Sequence, residues 1–144
     1  MTAYLDTSVL IKSYVVEKDS AAADALIVGT PGPIPYTHFH AIEIRTGIRL
    51  KRGRGEITET QLKGVLSDLQ KDIDAGRFER PSYDLSIIFQ KAEELSAKYA
   101  AETLAWSLDI LHVAAALVIG ARQFITFDKR QAALAAKAGL TTGR

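Results

Sequence analysis

Apolar residues fall into two kinds of segment, short continuous runs and stripes three or four positions apart, and the two kinds alternate along the chain. The first run, Ala3-Tyr4-Leu5, leads into Asp6-Thr7-Ser8, three residue types that cap helices, ahead of Val9-Leu10-Ile11. That order predicts a strand feeding a helix. Ser20 is placed to cap a second short helix through Ile27, and Gly29-Thr30-Pro31-Gly32-Pro33 forces a turn before the run Ile34-Pro35-Tyr36. The next helix is expected to begin near Thr37.

Thr58 and Gln61 have capping-box spacing, and Leu62, Val65, Leu66, Leu69 and Ile73 follow at helical intervals, which predicts an amphipathic surface helix. Leu85, Ile88, Phe89, Ala92, Leu95 and Tyr99 make a second stripe, with Glu93, Glu94 and Lys98 left for solvent. From Leu108 to Ile119 nearly every position is apolar, so this helix is expected inside the protein, with Ser107 as its N-cap and Trp106 and Leu111 as a hydrophobic staple. Gly120 closes it, Gln123 to Phe127 reads as a strand, and Lys129 to Ala138 is an Ala-rich helix stopped by Gly139. Strands alternating with helices predict an α/β fold, an α/β/α sandwich with a mostly parallel central sheet.

Composition narrows the class. The 144 residues, 47% hydrophobic and 24% charged, suit a single globular domain over residues 1–144. No apolar run reaches the roughly 18 residues of a spanning helix, and Met1 runs into the first strand without a basic leader. A soluble, unexported, cytoplasmic protein is expected. There is no cysteine, which excludes disulfide scaffolds, thiol nucleophiles, Fe–S clusters and Cys-based zinc sites.

Four acids stand where carboxylates are unexpected. Asp6 and Asp128 each follow a predicted strand, at the carboxyl edge where open α/β sheets place ligands, although either could simply cap the next helix. Glu43 shares a helix side with Phe39, Gly47 and Leu50, a side expected to face the sheet. Asp109 opens the all-apolar helix, where His112 is the only other strongly polar side chain. Buried carboxylates require a cation, a metal or a proton, because leaving one bare costs at least several kcal/mol. A salt bridge would serve Glu43, whereas nothing within its own helix neutralises Asp109. Oxygen ligands without a compact histidine cluster favour Mg²⁺ or Mn²⁺, and such a metal suits phosphodiester hydrolysis.

The formal charge is +1, from 18 basic and 17 acidic residues. Setting the four acids aside leaves 13 acids against 18 basic groups, so the remaining surface suits a polyanion. Arg45, Arg49, Lys51, Arg52 and Arg54 form a basic segment without an acid. It reads either as a solvated face or as an RNA-binding rim whose affinity falls with salt.

Four stretches together resemble the PIN-domain ribonucleases, specifically the VapC-like toxins of bacterial toxin–antitoxin pairs. They are Tyr4-Leu5-Asp6-Thr7-Ser8, Ala41-Ile42-Glu43-Ile44-Arg45, Leu108 to Ala116, and Thr126-Phe127-Asp128-Lys129-Arg130. The resemblance implies a PIN-like fold and an Mg²⁺- or Mn²⁺-dependent endoribonuclease whose metal is held by Asp6, Glu43, Asp109 and Asp128. It implies Ser8 and Thr126 as supporting hydroxyls, a homodimer, and a cognate antitoxin protein as partner. Ile110 and the Trp106-Ser107 lead-in depart mildly from the commonest third motif, which bears on RNA preference.

Plainer roles suit the remaining candidates. His112 reads as a core histidine rather than a base, His38 and His40 as surface or capping residues, and Trp106 as a staple rather than a base-stacking platform. Lys129 and Arg130 read equally as exposed first-turn cations or phosphate contacts. Two rival functions stay open: a phosphotransfer domain with a strand-end Asp as acceptor, which leaves Asp109 unexplained, and a non-catalytic PIN-like module that binds RNA or protein.

Overall fold

A computed structural model describes residues 2–143 of the chain. It divides into two compact units, one of residues 2–6 with 81–143 and one of residues 7–80. No helix among the described residues is long and apolar enough to cross a membrane.

In the first unit, β1 (Ala3–Leu5), β4 (Gln123–Ile125) and β5 (Thr141–Thr142) form one parallel sheet in the order β1-β4-β5. Leu5 pairs with Ile125, and the Asp6 N–H donates to the Ile125 carbonyl at 2.9 Å. β1 is wholly buried, as strands of a covered parallel sheet must be. Tyr4 stacks on Phe124 with ring centroids 5.4 Å apart. Helices α5 (Leu85–Thr103), α6 (Ser107–Val118) and α7 (Lys129–Lys137) belong to this unit. The run Ile110 to Ala116 in α6 is buried except for the half-exposed Leu111, as its apolar sequence requires. Gly120 and Gly139 adopt positive φ just past α6 and α7, the conformation a chain needs to turn out of a helix.

The second unit holds α1 (Thr7–Tyr14), α2 (Ser20–Val28), α3 (His38–Gly53) and α4 (Glu59–Asp74), with a two-stranded parallel sheet of β2 (Ile34–Pro35) and β3 (Phe78–Glu79). Gly47 lets α1 and α3 approach closely, since a Cβ there would lie 2.6 Å from Ile11 Cδ1. Tyr14 donates to Asp72, which also takes Arg77 at 3.1 Å, and this ties α1 to the end of α4. Burial, with Asp72 beside it, pushes the Tyr14 phenol well above its ordinary range.

The expected fold class, α/β with parallel strands, is the one found, with its strands distributed between two parallel sheets. Two expected caps move by one residue. Ser20 and Ser107 are the first helical residues rather than the caps, which are Asp19 and Trp106, and neither caps through its side chain. The Ser20 hydroxyl instead accepts from the Glu17 N–H at 2.9 Å. The proposed staple also fails, because Trp106 is 75% exposed. Asp84 caps α5 by accepting from the Ser86 N–H, a role the apolar stripe alone did not disclose.

The box at α4 forms as its spacing requires: the Thr58 N–H donates to Gln61 Oε1 at 2.8 Å, and the Gln61 N–H to Thr58 Oγ1 at 3.1 Å. Thr58→Ala should therefore cost about 1 kcal/mol, read as a lower urea midpoint at unchanged slope.

Candidate metal site

The end of β1 and the start of α7 meet through one hydroxyl. Asp6 leaves β1 with 6% of its surface exposed, a depth at which a carboxylate must be compensated. Thr126, buried one residue past β4, donates from Oγ1 to Asp6 Oδ2 at 3.4 Å and accepts from the Asp128 N–H at 3.0 Å. Asp128 Oδ1 in turn accepts from the N–H groups of Arg130 and Gln131, at 2.8 and 3.1 Å, and so caps α7. The capping role considered for Asp128 is thus real, and the residue is exposed. Thr126 thus links the Asp6 carboxylate to the backbone of Asp128.

His112 is fully buried on α6, with Nδ1 2.6 Å from the Tyr4 hydroxyl and its ring edge-on to Tyr4. This is the core histidine expected, although its partner lies across the unit rather than nearby in sequence. It also has a neighbour that spacing did not reveal. A ring nitrogen of His112 and a carboxylate oxygen of Asp6 lie within 4.8 Å, close enough to share one cation. Asp109 sits in the first turn of α6, half-buried. Its carbonyl accepts a long contact of 3.5 Å from Gln131 Nε2, joining the turn that carries Asp109 to the turn capped by Asp128.

The second unit carries Glu43 and Ser8. Glu43 stands in mid-α3 and is half-buried, as is Ser8 in the first turn of α1. Burial of these acids is therefore shallower than their apolar neighbours imply. Only Asp6 is buried, Glu43 and Asp109 are half-buried, and Asp128 is exposed. Leu50, on the Glu43 side of the helix, is 54% exposed. At the start of this helix the Thr37 N–H donates to His40 Nδ1 at 3.0 Å, so the buried His40 completes a capping box as Glu or Gln does elsewhere. His38 is exposed, 3.3 Å from Arg80.

Three acids outside the basic segment, one distant in sequence and two just beyond its end, pair with Lys51, Arg52 and Arg54. Lys51 pairs with Glu17 and, at 3.7 Å, with Glu56. Arg52 pairs with Glu59 and Arg54 with Glu56, both at 3.3 Å. Arg45 donates to Tyr36 Oη and to Gln70 Oε1, both at 3.2 Å. Arg49 is exposed. Burial opposes ionisation of Glu17, but hydrogen bonds from Lys51 and Lys12 outweigh it and hold the carboxyl below its ordinary value.

No family profile and no curated protein matches the sequence. Among solved structures, the chain is similar to the crystal structure of FitAcB from Neisseria gonorrhoeae, with a TM-score of 0.66 and 17% identity, over 99% of this chain and 97% of that one. At that identity the likeness shows the fold alone, α/β with parallel strands.

Two outcomes follow from these contacts. Tyr4→Phe should destabilise the protein by about 1–3 kcal/mol in denaturant titration, because it removes a hydrogen bond from a fully buried imidazole. Glu17 has a lowered folded-state pKa, so its contribution is present above the ordinary carboxyl value of 4.5 and fades as pH falls below it. The gap in thermal midpoint between the parent and Glu17→Gln should accordingly shrink as pH is lowered from about 6 to about 3.

Proposed function

We propose that the protein is a divalent-metal-dependent endoribonuclease acting as one PIN-like domain, with Asp6, Glu43, Asp109 and Asp128 as its metal-binding acids. The observation that carries this reading is the buried Asp6 carboxylate, bridged through Thr126 to Asp128 and lying within 4.8 Å of a His112 nitrogen. Hard oxygen donors suit Mg²⁺ or Mn²⁺, and an added imidazole favours Mn²⁺ over Mg²⁺. Such a cation supplies charge to the phosphate and lowers the pKa of a water.

This chain's own groups do the rest. Asp6 is held in one orientation by the Thr126 hydroxyl, and Tyr4 fixes the imidazole of His112 through Nδ1, leaving Nε2 as the nitrogen for ligation. Asp109 lies at the N-terminus of α6, where the helix dipole favours its ionised form. Ser8 is proposed as a second supporting hydroxyl. Arg45, Arg49, Lys51, Arg52 and Arg54 are proposed to hold RNA. Exposed ion pairs contribute little, so phosphates can displace Glu56 and Glu59 from Arg54 and Arg52. By the resemblance of its four motifs, the chain is proposed to work as a homodimeric cytoplasmic toxin held in check by a cognate antitoxin.

The test is cleavage of total RNA with Mg²⁺ or Mn²⁺, with and without a chelator. Cleavage should require the metal, and Asp6→Asn or Asp109→Asn should lower it by about 100-fold or more while the fold is retained. Full activity in either variant sinks the reading. Metal-dependent stabilisation without any cleavage would favour the non-catalytic binding module instead.

A further inference from the structure

Two arginines from distant parts of the chain meet at one corner of the second unit, and no acid meets them there. β2 and β3 pair with Pro35 opposite Glu79, and the Tyr36 N–H donates to the Glu79 carbonyl at 2.8 Å, so Tyr36 and Arg80 leave the two strands at one level. Arg45 reaches the same corner from α3, donating to Tyr36 Oη at 3.2 Å. Its other acceptors are also neutral oxygens, Gln70 Oε1 at 3.2 Å and the Ala41 carbonyl at 3.5 Å. Arg80 Nη1 lies 3.3 Å from His38 Nε2. A guanidinium can only donate, so that nitrogen accepts and the imidazole is the neutral form with its proton on Nδ1. Among the described residues neither guanidinium has a carboxylate partner, whereas Lys51, Arg52, Arg54 and Arg77 each have one.

Burial raises the Tyr36 phenol above its ordinary pKa, and the charges of Arg45 and Arg80 both act against that rise, so both guanidiniums lie within electrostatic reach of one hydroxyl. Like charges gathered in this way repel, and an anion between them turns the repulsion into attraction. Guanidinium forks match phosphate oxygens, and both side chains are open to solvent, Arg80 exposed and Arg45 half-buried. We propose that Arg45 and Arg80 form a phosphate clamp, steadied by Tyr36 and His38, that takes one backbone phosphate of an RNA strand. The inference rests on the RNA-cleaving reading above and adds a contact that the basic run 45–54 does not contain. Arg45 stands two residues from Glu43, roughly 200° around α3, so the clamped phosphate is not the one at the metal but a neighbour along the strand.

Fluorescence anisotropy of a labelled single-stranded oligoribonucleotide, measured in chelator so that binding is read without cleavage, tests the clamp in the full chain. Arg80→Gln, a change at an exposed side chain, should weaken binding by about tenfold and make its log–log salt dependence shallower by about 0.7, the share of one phosphate on a single strand. Arg45→Gln should do the same, and the double variant should lose clearly less than the product of the two losses, because both side chains hold one phosphate. Losses that multiply would show two separate contacts and overturn the clamp. So would an unchanged Arg80→Gln, or an equal loss from Arg122→Gln, an exposed arginine of the other unit, which would leave net charge as the cause. Displacement of the RNA by inorganic phosphate or by polyglutamate at the same charge concentration would assign the corner to a free anion or to an acidic protein segment, and either result overturns the RNA assignment. A parent that cleaves RNA while its variants bind unchanged removes the clamp alone, whereas a parent that neither cleaves nor binds RNA removes it together with the nuclease reading.

Discussion

The parallel pairing of β1 with β4 is the constraint on which the acidic site depends. Leu5 opposite Ile125 means that the chain leaves both strands at the same level, and the Asp6 N–H closes the ladder on the Ile125 carbonyl. Asp6 and Thr126 are 120 positions apart, and only this register brings carboxylate and hydroxyl within 3.4 Å. A slip of one residue would break the stack of Tyr4 on its register partner Phe124, whose ring centroids lie 5.4 Å apart. Hydrophobic packing thus aligns two polar groups that have little attraction of their own strong enough to order a sheet.

Elements with local causes were readable from the sequence. The strand at Ala3-Tyr4-Leu5, the box at Thr58 and Gln61, the interior helix after Trp106 and the glycine stops at Gly120 and Gly139 all arise from interactions within a few residues. Depth was not readable in the same way. A helical wheel tells which side Glu43 or Asp109 occupies, but not how far that side lies from solvent at a helix's first turn or outer edge. Only Asp6, fixed by strand pairing, reached the depth that the argument from burial required. The approach of His112 to Asp6 was invisible for a related reason, because it depends on how α6 packs against β1, and no periodicity encodes that.

Charge shows the same division between local and distant causes. Counting along 45–54 finds five cations and no acid, yet Glu17 reaches Lys51 from 34 positions away, and Glu56 and Glu59 follow just beyond the segment. The basic run is therefore partly neutralised in three dimensions. Because such exposed pairs are weak and screened by salt, they leave a surface that a polyanion can still recruit by exchange rather than by meeting bare charge.

Thr126 and Gln131 show how such a site restricts the fold that holds it. Both are buried polar side chains where an apolar one would pack without the need for a partner, and both connect turns that carry acids. Thr126 meets its demand within the protein, donating to one acid and accepting from the backbone of another. Gln131 does so only in part, through one long contact. An arrangement of this kind orients the Asp6 carboxylate and joins the turn that carries Asp109 to the turn capped by Asp128.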